Sequence, residues 1–119
     1  MGQTDGMEEN DMDMHVLLKE AERMKETITA DRRTLHQNPE AGPDLPETAA
    51  YVKRRLEEMG YAPRDLAGGV TADITGADTG RCILLRADMD ALRIREETGL
   101  EFRSENGNMH ACGHDCHTA

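Results

Sequence analysis

Between Met109 and His117 the chain reads MHACGHDCH, and five of its eight histidines and cysteines fall in those nine positions. A fold built from this sequence has to bring that segment to a place where imidazoles and thiols converge. Neutral imidazole and thiolate are preferred ligands for zinc, manganese, cobalt or nickel, with thiolate favouring the softer ions. Cys112 and His114 flank the flexible Gly113 and can reach one ion, so they are read as metal ligands. His110 and His117 are read as hydrogen-bonding neighbours or a helix cap, and Cys116 as a small buried residue. His15 and His36 are read as ordinary helix residues.

A second set of chemical groups follows an apolar run. Cys82, Ile83, Leu84 and Leu85 have the continuous pattern of a central strand covered on both faces, and they lead directly into Arg86, Ala87, Asp88, Met89 and Asp90. Open α/β sheets place ligands at the carboxyl ends of their strands. In extended backbone, residues i and i+2 point to the same side, so Asp88 and Asp90 can meet at one site. Taken alone, two acids in a turn are better read as a solvated loop.

Around these features the sequence predicts two helices and then strands. From His15 to Gln37, Leu17, Ala21, Met24, Ile28 and Leu35 recur at helical spacing, and Asn38 with Pro39 ends the pattern. Pro46 suits a first helical position, with Glu47 at the positive end of the dipole. That second helix runs to Met59, with Ala49, Val52, Leu56 and Met59 as its buried stripe and Gly60 as a left-handed stop. Val70 to Ile74 alternates like a half-buried strand, and residues 76–80 read as a turn. The fold class is α/β, with two N-terminal helices followed by strands of a mixed sheet.

Aromatic residues make up only 3% of the chain, with no Trp, so the core must come from Leu, Ile, Val, Met and Ala. The formal net charge is -10, and half of it lies in residues 1–14, read as a disordered acidic tail. This balance repels phosphate backbones and anionic lipid, which argues against nucleic acid and membrane partners. No apolar run has the length of a membrane helix, and the start lacks the pattern of a secretory leader. An odd set of three cysteines makes no complete disulfide framework and fits a reducing, cytoplasmic setting.

Four strings together carry a family likeness: LHQNPE (Leu35 to Glu40), RADMDAL (Arg86 to Leu92), EETGLEFRS (Glu96 to Ser104) and GNMHACGHDCHTA (Gly107 to Ala119). In order and spacing, the region from Ala30 to Ala119 resembles the aminoacylase and hippurate hydrolase type of metallopeptidase. That group includes deacylases of N-acetyl diaminopimelate and of auxin conjugates. The resemblance implies a zinc-peptidase-like catalytic domain of mixed sheet, of which residues 15–119 are the N-terminal part, and a separate lid or dimerisation domain further on. It implies homo-oligomers among full-length relatives and a centre of two divalent ions, manganese, zinc, cobalt or nickel. It also implies metal-ligand roles for Cys112 and His114, a catalytic role for Asp88, and a neighbouring partner role for Asp90. The general base Glu and the remaining ligands lie downstream in that family. Arg93 in place of Pro, Cys116 in place of Gly, and the wording of Pro43 to Pro46 depart from the family pattern.

These readings describe a metal-dependent amidohydrolase acting on the amide bond of small N-acyl amino acids, present as an N-terminal fragment with no turnover of its own. The rival reading is a non-catalytic metal-binding module, or the remnant of an interrupted gene.

Overall fold

The computed structural model describes residues 14–77 and 80–119. The acidic tail and part of the 76–80 turn therefore lie outside the described residues, although Met14 opens the first helix.

Helix α1 (Met14–Gln37) forms over a stretch without proline or glycine and stops where the sequence breaks it. Asn38 Nδ2 donates to the Thr34 carbonyl at 2.9 Å, satisfying one of the acceptors left free at the helix end. Its expected apolar stripe is not a buried one. Leu17, Met24 and Ile28 are exposed, and only the last turns pack, burying Asp31, Leu35 and His36. The stripe is apolar by sequence, but among the described residues no element covers its N-terminal half.

Helix α2 (Pro46–Glu58) begins at Pro46 as expected, with Glu47 in its first turn. Leu45 stands at the cap position and offers no side-chain oxygen, so the free N–H groups are taken from a distance. The carboxylate of Glu40 accepts the Thr48 N–H at 2.6 Å and the Glu47 N–H at 3.3 Å. The helix ends at Met59 and Gly60, the latter at φ +88. Ala49, Val52 and Leu56 of the expected stripe are half-buried, while Met59 is exposed. Asp31 joins the two helices: it accepts from the Tyr51 hydroxyl at 2.6 Å and from Arg55 Nη2 at 3.1 Å. Arg55 thus turns toward α1.

A hairpin follows, β1 (Arg64–Leu66) antiparallel to β2 (Gly69–Thr71), with Leu66 opposite Gly69. Its two turn residues, Ala67 and Gly68, have φ of +49 and +83, the left-handed pair that matches strand twist in a two-residue connection. The expected strand Val70 to Ile74 is thus shorter and begins earlier, and β1 had no apolar alternation to announce it.

The central strand expected at Cys82 to Leu85 does not form. Ile83, Leu84 and Leu85 are 85%, 86% and 88% exposed, and no described residue pairs with their backbone. An apolar run becomes a strand only when a neighbour takes up its N–H and C=O groups.

Past this run the chain is drawn into the body by single bridges. The Ala91 N–H donates to the Glu40 carbonyl at 2.7 Å, and Leu92 and Met109 exchange two backbone hydrogen bonds of 3.0 and 2.9 Å. Residues 88–92 therefore lie between the α1–α2 connection and the MHACGHDCH segment. That segment ends in the short helix α3 (His114–Thr118), which packs on α1. The interior is more polar than apolar. Leu35, Leu45 and Ala91 are its buried hydrophobic residues, against Asp31, His36, Thr48, Glu96, Ser104, His110 and Asp115. No helix among the described residues is long and apolar enough to cross a membrane.

Candidate metal centre

His114 opens α3 directly after Gly113, whose φ of +82 turns the chain sharply into the helix. Residues three apart on a helix share a face, so His117 lies beside His114, with the two rings stacked at 5.5 Å between centroids. The carboxylate of Asp88 meets this pair. One ligand atom each from Asp88, His114 and His117 lies within 4.8 Å of the others. Ligand atoms about 2 Å from a tetrahedral ion sit roughly 3.3 Å apart, so a small inward movement suffices. A carboxylate and two imidazoles form a donor set suited to zinc, manganese or cobalt, so the residues present fit a divalent ion.

Asp90 completes the arrangement from behind. Its carbonyl oxygen lies 2.9 Å, and its Oδ1 3.0 Å, from His114 Nδ1. A ring that donates from Nδ1 keeps Nε2 as a free lone pair, the state a metal ligand requires. Thr118 ties α3 to the same segment, with Oγ1 2.8 Å from the Asp88 carbonyl oxygen and 3.0 Å from that of His114. Asp88 is also engaged by Arg86, at 2.5 Å.

Of the four residues singled out from the sequence, the structure brings Asp88, Asp90 and His114 together. Cys112 is exposed and stands outside the group of three ligand atoms. Cys116, read as buried, is also exposed. His117 was passed over as a ligand, although its i+3 spacing from His114 was visible in HDCH.

Behind the centre lies a buried charged network. Asp115 is fully buried, and its Oδ2 accepts from Arg32 Nε at 2.8 Å and from His36 Nδ1 at 2.8 Å. The far side of the His36 ring meets Glu96 Oε1 at 3.0 Å, and a ring that donates at both nitrogens carries both protons. Glu96 also accepts from the Thr98 hydroxyl at 2.5 Å and the Ser104 N–H at 2.7 Å. Burial alone raises the Glu96 carboxyl, but the hydrogen bonds from Thr98, Ser104 and His36 outweigh it and hold it at about 2. Burial likewise opposes ionisation of Asp115, and the His36 hydrogen bond with the Arg32 charge carries it below the usual carboxylate range. Phe102 closes the edge, packing T-shaped on His36 at 5.6 Å under the guanidinium groups of Arg32 and Arg33. His36, read as an ordinary helix residue, is thus at the middle of the interior. His110 is buried beside this network with neither ring nitrogen hydrogen-bonded among the described residues, and burial lowers its pKa.

Residues 84–119 match the model of peptidase family M20/M25/M40. The chain is 48% identical over 99 residues to an N-acetyl-L-cysteine deacetylase of Bacillus subtilis, covering 81% of this chain and 24% of that protein. It is 44% identical over 101 residues to an N-acyl-L-amino acid amidohydrolase of Geobacillus stearothermophilus, covering 82% and 27%. Among solved structures, a Bacillus subtilis protein described as a dinuclear metal-binding peptidase from the M20 family superposes with a TM-score of 0.76 at 40% identity. That match covers 82% of this chain and 28% of the other. The mixed helix-and-sheet arrangement is the one found in that structure, and the chain spans about a quarter of the length of the curated relatives it matches.

Proposed function

We propose, from the match of residues 84–119 to the model of peptidase family M20/M25/M40, that the chain supplies part of the divalent-metal centre of an amidohydrolase acting on N-acyl amino acids. The observation that carries this reading is the meeting of Asp88, His114 and His117 with Asp90 behind them. A divalent ion bound there would supply Lewis-acid activation of water and of the scissile amide carbonyl. Asp88 and His114 would hold it, and Asp90, hydrogen-bonded to His114 Nδ1, would keep Nε2 unprotonated. Cys112, exposed one residue before the left-handed Gly113, is a further candidate ligand by the family resemblance, although it lies outside the group of three ligand atoms. Cys112 with His114 and Asp88 with Asp90 thus remain the working set, to which the geometry adds His117. The three unpaired thiols suit a reducing cytoplasm.

The substrate class follows from the relatives: both curated proteins are named for removing acyl groups from amino acids. Two experiments test the proposal. Calorimetric titration of the purified chain with zinc, manganese and cobalt should give binding that His114→Ala abolishes; the metal reading fails if His114→Ala binds as well as the unaltered chain. For activity, residues 30–119 would replace the matching quarter of the Geobacillus stearothermophilus amidohydrolase. The chimaera should release amino acid from N-acetyl amino acids and lose this with Cys112→Ala. The chain alone should release none.

A further inference from the structure

A five-residue helix has too few hydrogen bonds to hold its own direction, so tertiary contacts must decide where α3 points His114 and His117. Successive helical residues are about 100° apart, which puts Asp115 on a different face from the two histidines. Asp115 is the fully buried one, and it turns toward α1. There its Oδ2 receives Arg32 and His36, both at 2.8 Å, while its Oδ1 accepts the Cys116 N–H at 3.1 Å. His36 is held from the opposite side by Glu96, which is itself gripped by Thr98 and the Ser104 backbone. Three residues on from Asp115, Thr118 reaches the Asp88 carbonyl.

We infer that His36, acting through Asp115, is a positioning residue of the metal centre: the Glu96–His36–Asp115–Arg32 chain fixes the rotation of α3 so that His114 and His117 face Asp88. None of the four belongs to the group of ligand atoms formed by Asp88, His114 and His117. With Asp115 inward, His114 and His117 have one outward direction available, and it is the one Asp88 occupies. Without that anchor, α3 is free to turn about its axis, and the ligand atoms no longer start within reach of one ion. The inference rests on the metal reading of the preceding section.

The test compares the unaltered chain with His36→Ala and with Asp115→Asn. Zinc affinity is measured by calorimetry, and the visible absorption of added cobalt reports the geometry around the ion. Each variant should bind zinc roughly 10- to 100-fold more weakly, the range usual for residues that orient ligands without touching the metal. The cobalt bands should shift, and added imidazole should restore His36→Ala toward the original spectrum. Variants that keep their helical circular dichroism and bind zinc with unchanged affinity and unchanged cobalt bands overturn the inference while leaving the metal reading intact. An unaltered chain that binds no metal overturns both. Where a substitution costs the fold, the unaltered chain still decides. Coupling is reciprocal, so zinc should shift the His36 imidazole nitrogen resonances and slow amide exchange in residues 115–118. A metal-bound chain showing neither change rules the inference out.

Discussion

His114 Nδ1 stands 3.0 Å from Asp90 Oδ1 and 2.9 Å from the Asp90 carbonyl oxygen, so one residue addresses this ring with both its side chain and its backbone. The pairing assigns the two acids of RADMDAL different tasks. On the proposed metal reading, Asp88 would face the ion and Asp90 would set the tautomer of the imidazole that binds it.

Replacing Asp90 by Ala leaves the backbone acceptor and removes the carboxylate. Zinc affinity of the chain should fall about 10-fold, with little change in thermal stability. Calorimetry beside a thermal melt separates the two effects; equal affinity in the variant would deny Asp90 this role.

Acid should weaken the fold through Glu96. Its folded carboxyl is held at about 2 against an ordinary 4.5, so its stabilisation is complete above about 4.5 and is lost as the pH falls toward 2. Urea unfolding followed at a series of pH values should show this decline, and Glu96→Gln should flatten it across that window. A variant with the same acid dependence as the original chain would place the effect elsewhere.

Asp31 is the hinge between α1 and α2, taking the Tyr51 hydroxyl and the Arg55 guanidinium. Asp31→Ala removes the acceptor of the Tyr51 hydroxyl and leaves Arg55 with Glu58 alone, and the lost Tyr51 hydrogen bond should cost about 1 kcal/mol. Urea denaturation measures it. Asp31→Asn, which retains an acceptor, should cost less.

The run Ile83, Leu84, Leu85 presents apolar side chains together with backbone that is unpaired among the described residues, the combination that invites pairing with another strand. The chain should therefore associate as its concentration rises, and Leu84→Lys should reduce that association. Light scattering across a dilution series makes the comparison, and identical curves would count against the run as the sticky element.

Local features were readable without tertiary structure. Helix α2 could be bounded from Pro46 and Gly60, because capping and φ preference act within one turn of chain. The density of His and Cys in MHACGHDCH drew attention to the segment that carries His114 and His117, and Asp88 and Asp90, two residues apart, both lie beside it. The hairpin strand β1 was not readable, because Arg64, Asp65 and Leu66 have no apolar period and pair only through the turn at Ala67 and Gly68.

The amino-acid order by itself determined where the chain turns helical, where it stops, and which segment bears the chemistry, since those outcomes depend on neighbours a few residues away. Tertiary structure alone decided that His36 sits between Asp115 and Glu96, partners 79 and 60 residues distant, and that Cys82 to Leu85 remains without a strand beside it. The reason is physical. A buried charge or a strand edge is stabilised by whatever group the fold brings against it, and no local pattern specifies that group.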